Sequence, residues 1–169
     1  KIAQFYEGKS QWGKAARHYD RAEQYSKALK LYMADGEGCI PDMIDMVAKV
    51  KLDPLTHELV DYLMGETDNV PKEPQWTFKL YRAIGNVGQA VKIAVNIATQ
   101  EQDLGNYKQA HDILADTFKD IRSSNMRIPH DLTQRLINIH SYQLAKRLVK
   151  MNDHLGAARL LIRVCQNIS

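Results

Sequence analysis

Residues 1–37 read KIAQFYEGKSQWGKAARHYDRAEQYSKALKLYMADGE, and a pattern in this stretch decides the fold. A large apolar residue is followed three positions later by alanine and, four positions after that, by another bulky residue. The two copies in this stretch are Trp12-x-x-Ala15…Tyr19 and Tyr25-x-x-Ala28…Tyr32. Residues three and four apart lie on one face of a helix, so the alanine lets a second helix approach closely while the large side chains fill the space beside it. The stretch therefore predicts helices that pack in pairs.

The same pattern recurs three times farther along the chain, which indicates a helical-repeat protein. The further copies are Tyr107-x-x-Ala110…Leu114 and the weaker Val87-x-x-Ala90…Ala94 and Leu155-x-x-Ala158…Ile162. A helical hairpin completes its core only against neighbouring hairpins, as in tetratricopeptide repeats. We expect the repeats to be packed by Ala3, Tyr6, Gly8, Trp12, Ala15, Tyr19, Ala22, Tyr25, Ala28, Tyr32, Val87, Ala90, Tyr107, Ala110, Leu155 and Ala158.

The spacing of the copies is irregular. The large residues that open successive copies lie 13, 62, 20 and 48 positions apart, whereas regular tetratricopeptide repeats recur about every 34 residues. We therefore predict an all-α fold, an irregular, tetratricopeptide-like α-solenoid of stacked antiparallel helical hairpins. We expect a single segment over 1–169, a fragment of a larger chain, with its least regular loop at 65–74.

Apolar residues recur at helical spacing along the whole chain, and strand-like alternation is nearly absent. The ten predicted helices cover 1–7, 11–21, 24–34, 40–51, 54–64, 75–84, 87–102, 107–122, 129–151 and 154–168. Five glycines each follow an apolar periodic segment, where a left-handed residue ends a helix: Gly8, Gly36, Gly65, Gly85 and Gly105. The predicted N-caps are Ser10, Asn106, Asp153 and, before Pro54, Asp53.

The composition excludes several classes of protein. The chain is 44% hydrophobic, which is enough for a packed core, and no stretch reaches the roughly 20 consecutive apolar residues of a membrane-spanning helix. The two cysteines, Cys39 and Cys165, belong to no CxxC pair and cannot build a zinc site by themselves. We expect both to be buried, reduced thiols, which favours a cytoplasmic setting.

The net charge of +3 hides a difference between the two ends of the chain. Residues 1–118 hold 14 Lys and Arg against 17 Asp and Glu, whereas residues 119–169 hold nine against three. The window 35–73 alone has ten acidic residues and three lysines. Such an asymmetry affects the choice and orientation of partners more than it affects the fold.

We find no set of residues that predicts catalysis, a cofactor or a metal. Gly8-Lys9-Ser10 resembles the end of a phosphate-binding loop, but the first glycine of that motif would fall at Ala3 and a strand should precede it. No two of the six histidines lie three or four residues apart, so no helix presents a pair of metal ligands. Pairs of acidic residues at helical spacing lack the contrasting environments that acid–base catalysis needs. We expect no catalytic, cofactor-binding or metal-binding residues and no small-molecule substrate.

A set of basic residues near the C-terminus is the one candidate partner-binding surface. It consists of Lys146, Arg147, Lys150, Arg159 and Arg163. Leu148 and Ile162 are expected to point toward the core, which would leave these cations on the outside. An ordinary solvated face is the simpler interpretation. The functional one is docking of an acidic protein segment, with at most weak peripheral contact to anionic lipid.

Two stretches carry a resemblance to a known family: residues 1–37, quoted above, and HSYQLAKRLVKMNDHLGAARLLIRVCQNIS at 140–169. Together they resemble the C-terminal helical-repeat region of the WD-repeat-19 type subunits of intraflagellar transport complex A. The resemblance implies a non-enzymatic scaffold of the cytoplasm, the ciliary base and the cilium. Its implied partners are other subunits of that complex and cargo adaptors. The implied role is retrograde ciliary transport and ciliary entry of membrane-protein cargo.

Other helical-repeat classes remain open at this point. A vesicle coat or tether subunit uses similar irregular hairpins, whereas a peptide-binding co-chaperone needs regular repeats. A nucleic-acid binder could use aromatic residues among cations, as around Tyr19 and Tyr25. Here those aromatic residues occupy packing positions of the repeat, so we expect no nucleic-acid partner.

Overall fold

The computed structural model describes residues 2–168, with side chains described as far as Gln166. The α-helices are α1 Ile2–Glu7, α2 Trp12–Arg21, α3 Tyr25–Asp35, α4 Ile40–Val50, α5 Asp53–Met64, α6 Pro74–Ile84, α7 Val87–Asp103, α8 Tyr107–Ser123, α9 His130–Lys150 and α10 His154–Ile168. One 3₁₀ turn, Glu37–Cys39, precedes α4 and was not predicted. The described residues contain no strand, and helices that follow one another along the chain pack together within each unit described below. The all-α helical-repeat fold and its helices are therefore confirmed. Within the described residues every helix is too short or too polar to cross a bilayer.

The end of α1 differs from the sequence-based expectation. After α1, the amide of Ser10 donates to the carbonyl of Glu7 and the amide of Gln11 to that of Tyr6, which closes one more turn. The left-handed residue is consequently Ser10, with a φ of 55°, and Gln11 is the N-cap of α2. The predictions that Gly8 is left-handed and that Ser10 is an N-cap are both wrong. The prediction that Asp53 is an N-cap is also wrong, because Leu52 is the N-cap of α5. At α10 the prediction is confirmed, because the amide of Gly156 donates to Asp153 Oδ1 at 2.8 Å.

The first compact unit, unit 1, is Lys1–Asn86 and contains α1 to α6. Helix α2 packs on α3, α4 packs on α6, and α3 also contacts α4 and α5. These helices enclose one large cluster of buried apolar side chains, in which Tyr32, Ile40, Met43, Leu59 and Leu80 are almost wholly inaccessible to solvent. Unit 1 thus has a core of its own.

The loop after α5 is ordered by a lysine. The backbone amide of Lys72 donates to the carbonyl of Leu63 at 2.9 Å. Its ammonium lies 2.8 Å from Asp68 Oδ2 and 3.4 Å from Glu37 Oε1, over the ring of Tyr62. The hydrogen bond from this ammonium lowers the pKa of the Asp68 carboxyl below its ordinary value. The predicted least regular loop is therefore tied to the surrounding helices by named contacts.

The second compact unit, unit 2, is Val87–Ser169 and contains α7 to α10. Each helix packs on the next: α7 on α8, α8 on α9 and α9 on α10. Its buried apolar cluster consists of Val91, Ala98, Ala110, Leu114, Ile121, Leu132 and Ile139. A single continuous solenoid segment over 1–169 stays a prediction, since the two units are described separately.

Candidate protein-interaction surface

The alanines of the repeat pattern lie in the interior of both units. Ala15, Ala28 and Ala110 are completely buried, Ala90 is 3% exposed and Ala3 is 8% exposed. They lie on α1, α2, α3, α7 and α8, which form the closely packed pairs. A side chain of one carbon at these places is compatible with the short end of the usual range of helix separations. Their contribution to stability stays a prediction.

The other residues that were expected to pack the repeats are placed less uniformly. Tyr32 is buried, whereas Gly8 and Ala22 are exposed. The half-buried members are Tyr6, Trp12, Tyr19, Tyr25, Val87 and Tyr107. Tyr19 and Tyr25 pack against the core of unit 1, and burial is the main cause of the raised pKa of Tyr19. Rings that pack in this way offer little free surface for stacking on nucleotide bases.

The fifth copy of the pattern, on α10, does not face the interior. Leu155 is 61% exposed and Ile162 is 56% exposed, and Ala158 is also exposed. Ala157 is buried in their place, at 3% exposure. The expectation that Ile162 points toward the core is wrong, and Leu155 and Ala158 lie outside the packing that was expected of them. The reason is that α10 packs on α9 through the face that carries Ala157.

The five predicted cations do lie on the surface. Lys146, Arg147 and Lys150 are exposed in the last two turns of α9, and Arg159 and Arg163 are exposed one turn apart on α10. None of the five forms an ion pair with another residue in the described part of the chain. On α10 the two arginines directly follow Ala158 and Ile162 in sequence, so the charged and apolar stripes adjoin.

We call these five cations, together with Leu155, Ala158 and Ile162, the α9–α10 surface. Exposed apolar side chains beside cationic ones are typical of a site that binds another protein. The sequence analysis identified its cations but assigned its apolar residues to the core.

A pair of histidines is brought together only by the fold. His111 Nε2 on α8 lies 3.3 Å from His140 Nδ1 on α9, and Asp112 Oδ1 lies 3.3 Å from His111 Nδ1. Beside them the rings of Tyr107 and Tyr142 are 4.4 Å apart. Within the described residues no group of three His, Cys, Asp or Glu side chains could hold a metal ion. The pair therefore joins α8 to α9, and no spacing along the sequence pointed to it.

The two cysteines have different environments. Cys39 is half-buried and donates a hydrogen bond to Asp35 Oδ2 at 3.1 Å, whereas Cys165 is exposed, and the two are not joined by a disulfide. Burial, with the hydrogen bond to Asp35, raises the pKa of the Cys39 thiol to about 11. The expectation of two buried thiols is wrong for Cys165.

Comparison with known proteins identifies relatives along nearly the whole chain. No family model matches it. The chain is 37% identical over 172 aligned residues to WD repeat-containing protein 19 of Homo sapiens and of Mus musculus, and the alignment covers 99% of this chain. It is 39% identical over 154 residues to WD repeat-containing protein dyf-2 of Caenorhabditis elegans, covering 90% of this chain.

The chain spans only a small part of each relative: 13% of the length of the two mammalian proteins and 11% of the nematode protein. The resemblance to WD-repeat-19 type proteins is confirmed as a relationship to one segment of them. The names of these relatives describe WD-repeat proteins.

Proposed function

Because this chain is related to a segment of WD repeat-containing protein 19, we propose that it acts as a non-catalytic protein-interaction scaffold within an intraflagellar transport complex A subunit. In that role it supports retrograde ciliary transport and the entry of membrane-protein cargo into the cilium. Its partners are other subunits of the complex and cargo adaptors. It acts in the cytoplasm, at the ciliary base and in the cilium.

The observation that carries this proposal is the identity of 37% along 99% of the chain. Helical packing supports it, because each unit is a stack of helices that holds surface side chains at fixed positions. The alanines of the first four copies of the repeat pattern are buried, and the α9–α10 surface carries the features of a docking site. The mechanism is therefore positional: the helices present surfaces that orient neighbouring subunits.

We assign the docking of an acidic protein segment to the α9–α10 surface. Its five cations are exposed, and complementary charge contributes mainly to the rate and specificity of association. The apolar stripe of Leu155, Ala158 and Ile162 supplies area that a partner can bury. Anionic lipid attracts each basic residue near a membrane by only about 1 kcal/mol, so lipid contact would orient the protein without anchoring it.

Proximity labelling tests the proposed cellular role. The labelling enzyme is fused to the full-length protein in ciliated cells, and neighbours are identified by mass spectrometry. We expect subunits of intraflagellar transport complex A to dominate among the labelled proteins. Imaging of the tagged protein in live cells should show it moving from the ciliary tip to the base. A control fusion to an unrelated cytoplasmic protein sets the background. Labelling dominated by vesicle-coat or tether subunits would overturn the proposal.

Charge reversal tests the docking surface separately. All five cations of the α9–α10 surface are replaced by Glu in the full-length protein, and we expect less of at least one partner subunit to co-purify. The matched control reverses five exposed cations elsewhere: Arg21, Lys30, Lys49, Lys108 and Arg122. Equal co-purification by the two variants would remove the α9–α10 surface as a docking site.

A further inference from the structure

Unit 2 contains an apolar groove that the repeat pattern does not explain. The cavity has a volume of about 540 Å³ and lies between α7, the end of α8 and the beginning of α9. Its apolar lining consists of Val87, Val91, Val95, Ile121, Met126 and Leu132. The volume falls within the range of about 300–1,000 Å³ that is typical of ligand-binding clefts. We call this cavity the α7–α9 groove.

The floor and the edge of the groove differ in accessibility. Ile121 and Leu132 are almost completely buried and belong to the core of unit 2, whereas Met126 is 49% exposed. The valines follow one another at intervals of four residues along α7 and form one wall. The core of unit 2 thus reaches solvent through this groove, with a flexible methionine at its edge that can adapt to an incoming side chain.

The charged residues around the groove leave it cationic. Lys92 and Arg127 line it, are exposed and have no ion-pair partner in the part of the chain that the structure describes. Asp131, the acidic residue of the lining, lies 3.1 Å from Arg135 Nε through Oδ1. Arg135 also donates from Nη1 to Thr99 Oγ1 at 2.9 Å, which holds it in that position. The negative charge of Asp131 is therefore compensated from within unit 2.

The beginning of α9 adds to this positive character. Pro129 lines the groove and is the N-cap of α9, and no side chain caps the first turn. The first amides of a helix point outward and carry the positive end of its dipole. An acidic group above the groove would be favoured by this helix end as well as by Lys92 and Arg127.

We propose that the α7–α9 groove binds an acidic amphipathic segment of a partner protein, with apolar anchors one helical turn apart and acidic residues beside them. The apolar lining takes the anchors, as in complexes where an amphipathic helix lies in a groove. Lys92 and Arg127 attract the flanking carboxylates. This inference deepens the proposed scaffold role and rests on it.

A peptide-binding measurement tests the groove. The probe is a fluorescein-labelled peptide with leucines four residues apart and glutamates on both sides of each, titrated with purified full-length protein by fluorescence anisotropy. We expect saturable binding that weakens as salt is added. A second peptide with serine in place of leucine should not bind. Binding of both peptides with equal affinity would overturn the assignment of the apolar lining.

Three variants locate the binding. Lys92→Glu combined with Arg127→Glu should weaken the affinity about tenfold, mainly through slower association, because charges at the edge of an interface act on the encounter rate. Met126→Ser should weaken it about threefold, because a half-exposed side chain loses only part of its apolar contact. The matched control, Lys30→Glu with Lys49→Glu, reverses two exposed cations of unit 1 and should leave the affinity unchanged. An equal loss in the control would overturn the groove as the binding site.

A titration with a fatty acid tests whether the groove binds a lipid instead of an acidic peptide. Dodecanoate is titrated against the same protein, and we expect it to leave the bound peptide in place at concentrations below its micelle-forming range. Binding of dodecanoate without binding of the peptide would overturn the proposal in favour of a fatty-acid site. A further outcome is that neither probe binds, while the full-length protein still labels subunits of intraflagellar transport complex A in the proximity experiment and co-purifies with them. In that case the groove proposal fails and the scaffold role stands.

Discussion

Unit 1 and unit 2 are of similar length, yet they bury their apolar residues to different extents. The core cluster of unit 1 holds 14 buried residues, among them Tyr32, Met43 and Leu59, whereas that of unit 2 holds seven, two of which are alanines. Of the large apolar residues that are exposed in the described chain, five lie in unit 1 and ten in unit 2. Unit 1 is therefore the better enclosed of the two, and unit 2 presents apolar surface.

The two units also differ in net charge, and the unit with more exposed apolar residues is the more cationic one. Unit 1 has 12 basic and 13 acidic residues, and unit 2 has 11 basic and seven acidic residues. The apolar surface of unit 2 thus lies in a cationic background, which both the α9–α10 surface and the α7–α9 groove share. From this difference we expect unit 1 to contribute more to stability and unit 2 to contribute more of the contacts with partners.

The largest effect is expected for a core deletion in unit 1. Leu59 is completely buried in the larger cluster, so Leu59→Ala should lower the free energy of unfolding by about 2–5 kcal/mol. Leu114→Ala in unit 2, at a site equally buried but in the smaller cluster, should cost less, since a smaller core can relax around the cavity. Urea denaturation of the two variants measures the difference.

The control for this pair is Leu52→Ala, because Leu52 is 49% exposed. It should change the free energy of unfolding by less than about 0.5 kcal/mol. A cost for Leu114→Ala above that for Leu59→Ala would reverse the comparison between the two cores.

The next effect compares two glycines with nearly the same backbone conformation. Gly65 in unit 1 and Gly105 in unit 2 have φ values of +81° and +80°. A Cβ at Gly65 would lie 2.5 Å from the nitrogen of Pro71, whereas one at Gly105 would meet nothing within 4 Å. Gly105→Ala should cost about 1–2 kcal/mol for the left-handed conformation alone, and Gly65→Ala should cost more because backbone must also move. Thermal unfolding of both variants measures the two costs. Equal costs would show that the backbone is not more closely packed around Gly65 than around Gly105.

A third comparison uses the reactivity of the two thiols to measure how far each is shielded from solvent. Cys39 in unit 1 has a pKa raised to about 11, so at pH 8 nearly all of it is the unreactive thiol, and its thiolate fraction increases only as the pH rises toward that value. Cys165 in unit 2 is exposed. We expect a maleimide reagent to modify Cys165 about tenfold faster or more, as measured by mass spectrometry of digested protein. Cys39→Ser and Cys165→Ser identify each signal, and similar rates would contradict the difference in enclosure.

The smallest effect is expected at the exposed face of α10. Leu155→Ser and Ile162→Ser should each change the free energy of unfolding by less than about 0.5 kcal/mol, because both side chains are more than half exposed. Urea denaturation measures both variants, and Ile139→Ser, at a buried site of the same unit, should be far more destabilising. A loss at Ile162 comparable to that at Ile139 would restore the original expectation that Ile162 belongs to the core.

Much of the fold could be predicted from the sequence, because helix formation depends on residues close in the chain. The spacing of apolar residues and the end signals placed the ten helices of the described residues within about one residue of their observed bounds. The candidate surface was predicted only in part. The cations Lys146 to Arg163 lie outside as expected, but charge gives no information on which apolar face of the same helix is covered.

The errors on α10 share one physical cause. A pattern such as Leu155-x-x-Ala158 states that two residues share a face, but whether that face is buried depends on a second helix. Helix α10 packs through Ala157 instead, and this choice depends on how α9 and α10 pack together. The error at Ser10 has a local cause instead, because an extra turn closed by the carbonyls of Tyr6 and Glu7 places Ser10 in the left-handed conformation.

The amino-acid sequence by itself determined the class of this protein: helices, their order, the small residues at their contacts and the excess of cations near its end. These properties depend on neighbours within a few residues, and the relationship to WD repeat-containing protein 19 extends along the same chain. Only the tertiary structure decided the division into two units, the meeting of His111 with His140 and the opening of the α7–α9 groove. Each of these joins residues that are distant in sequence, and only the packing of whole helices determines their separation.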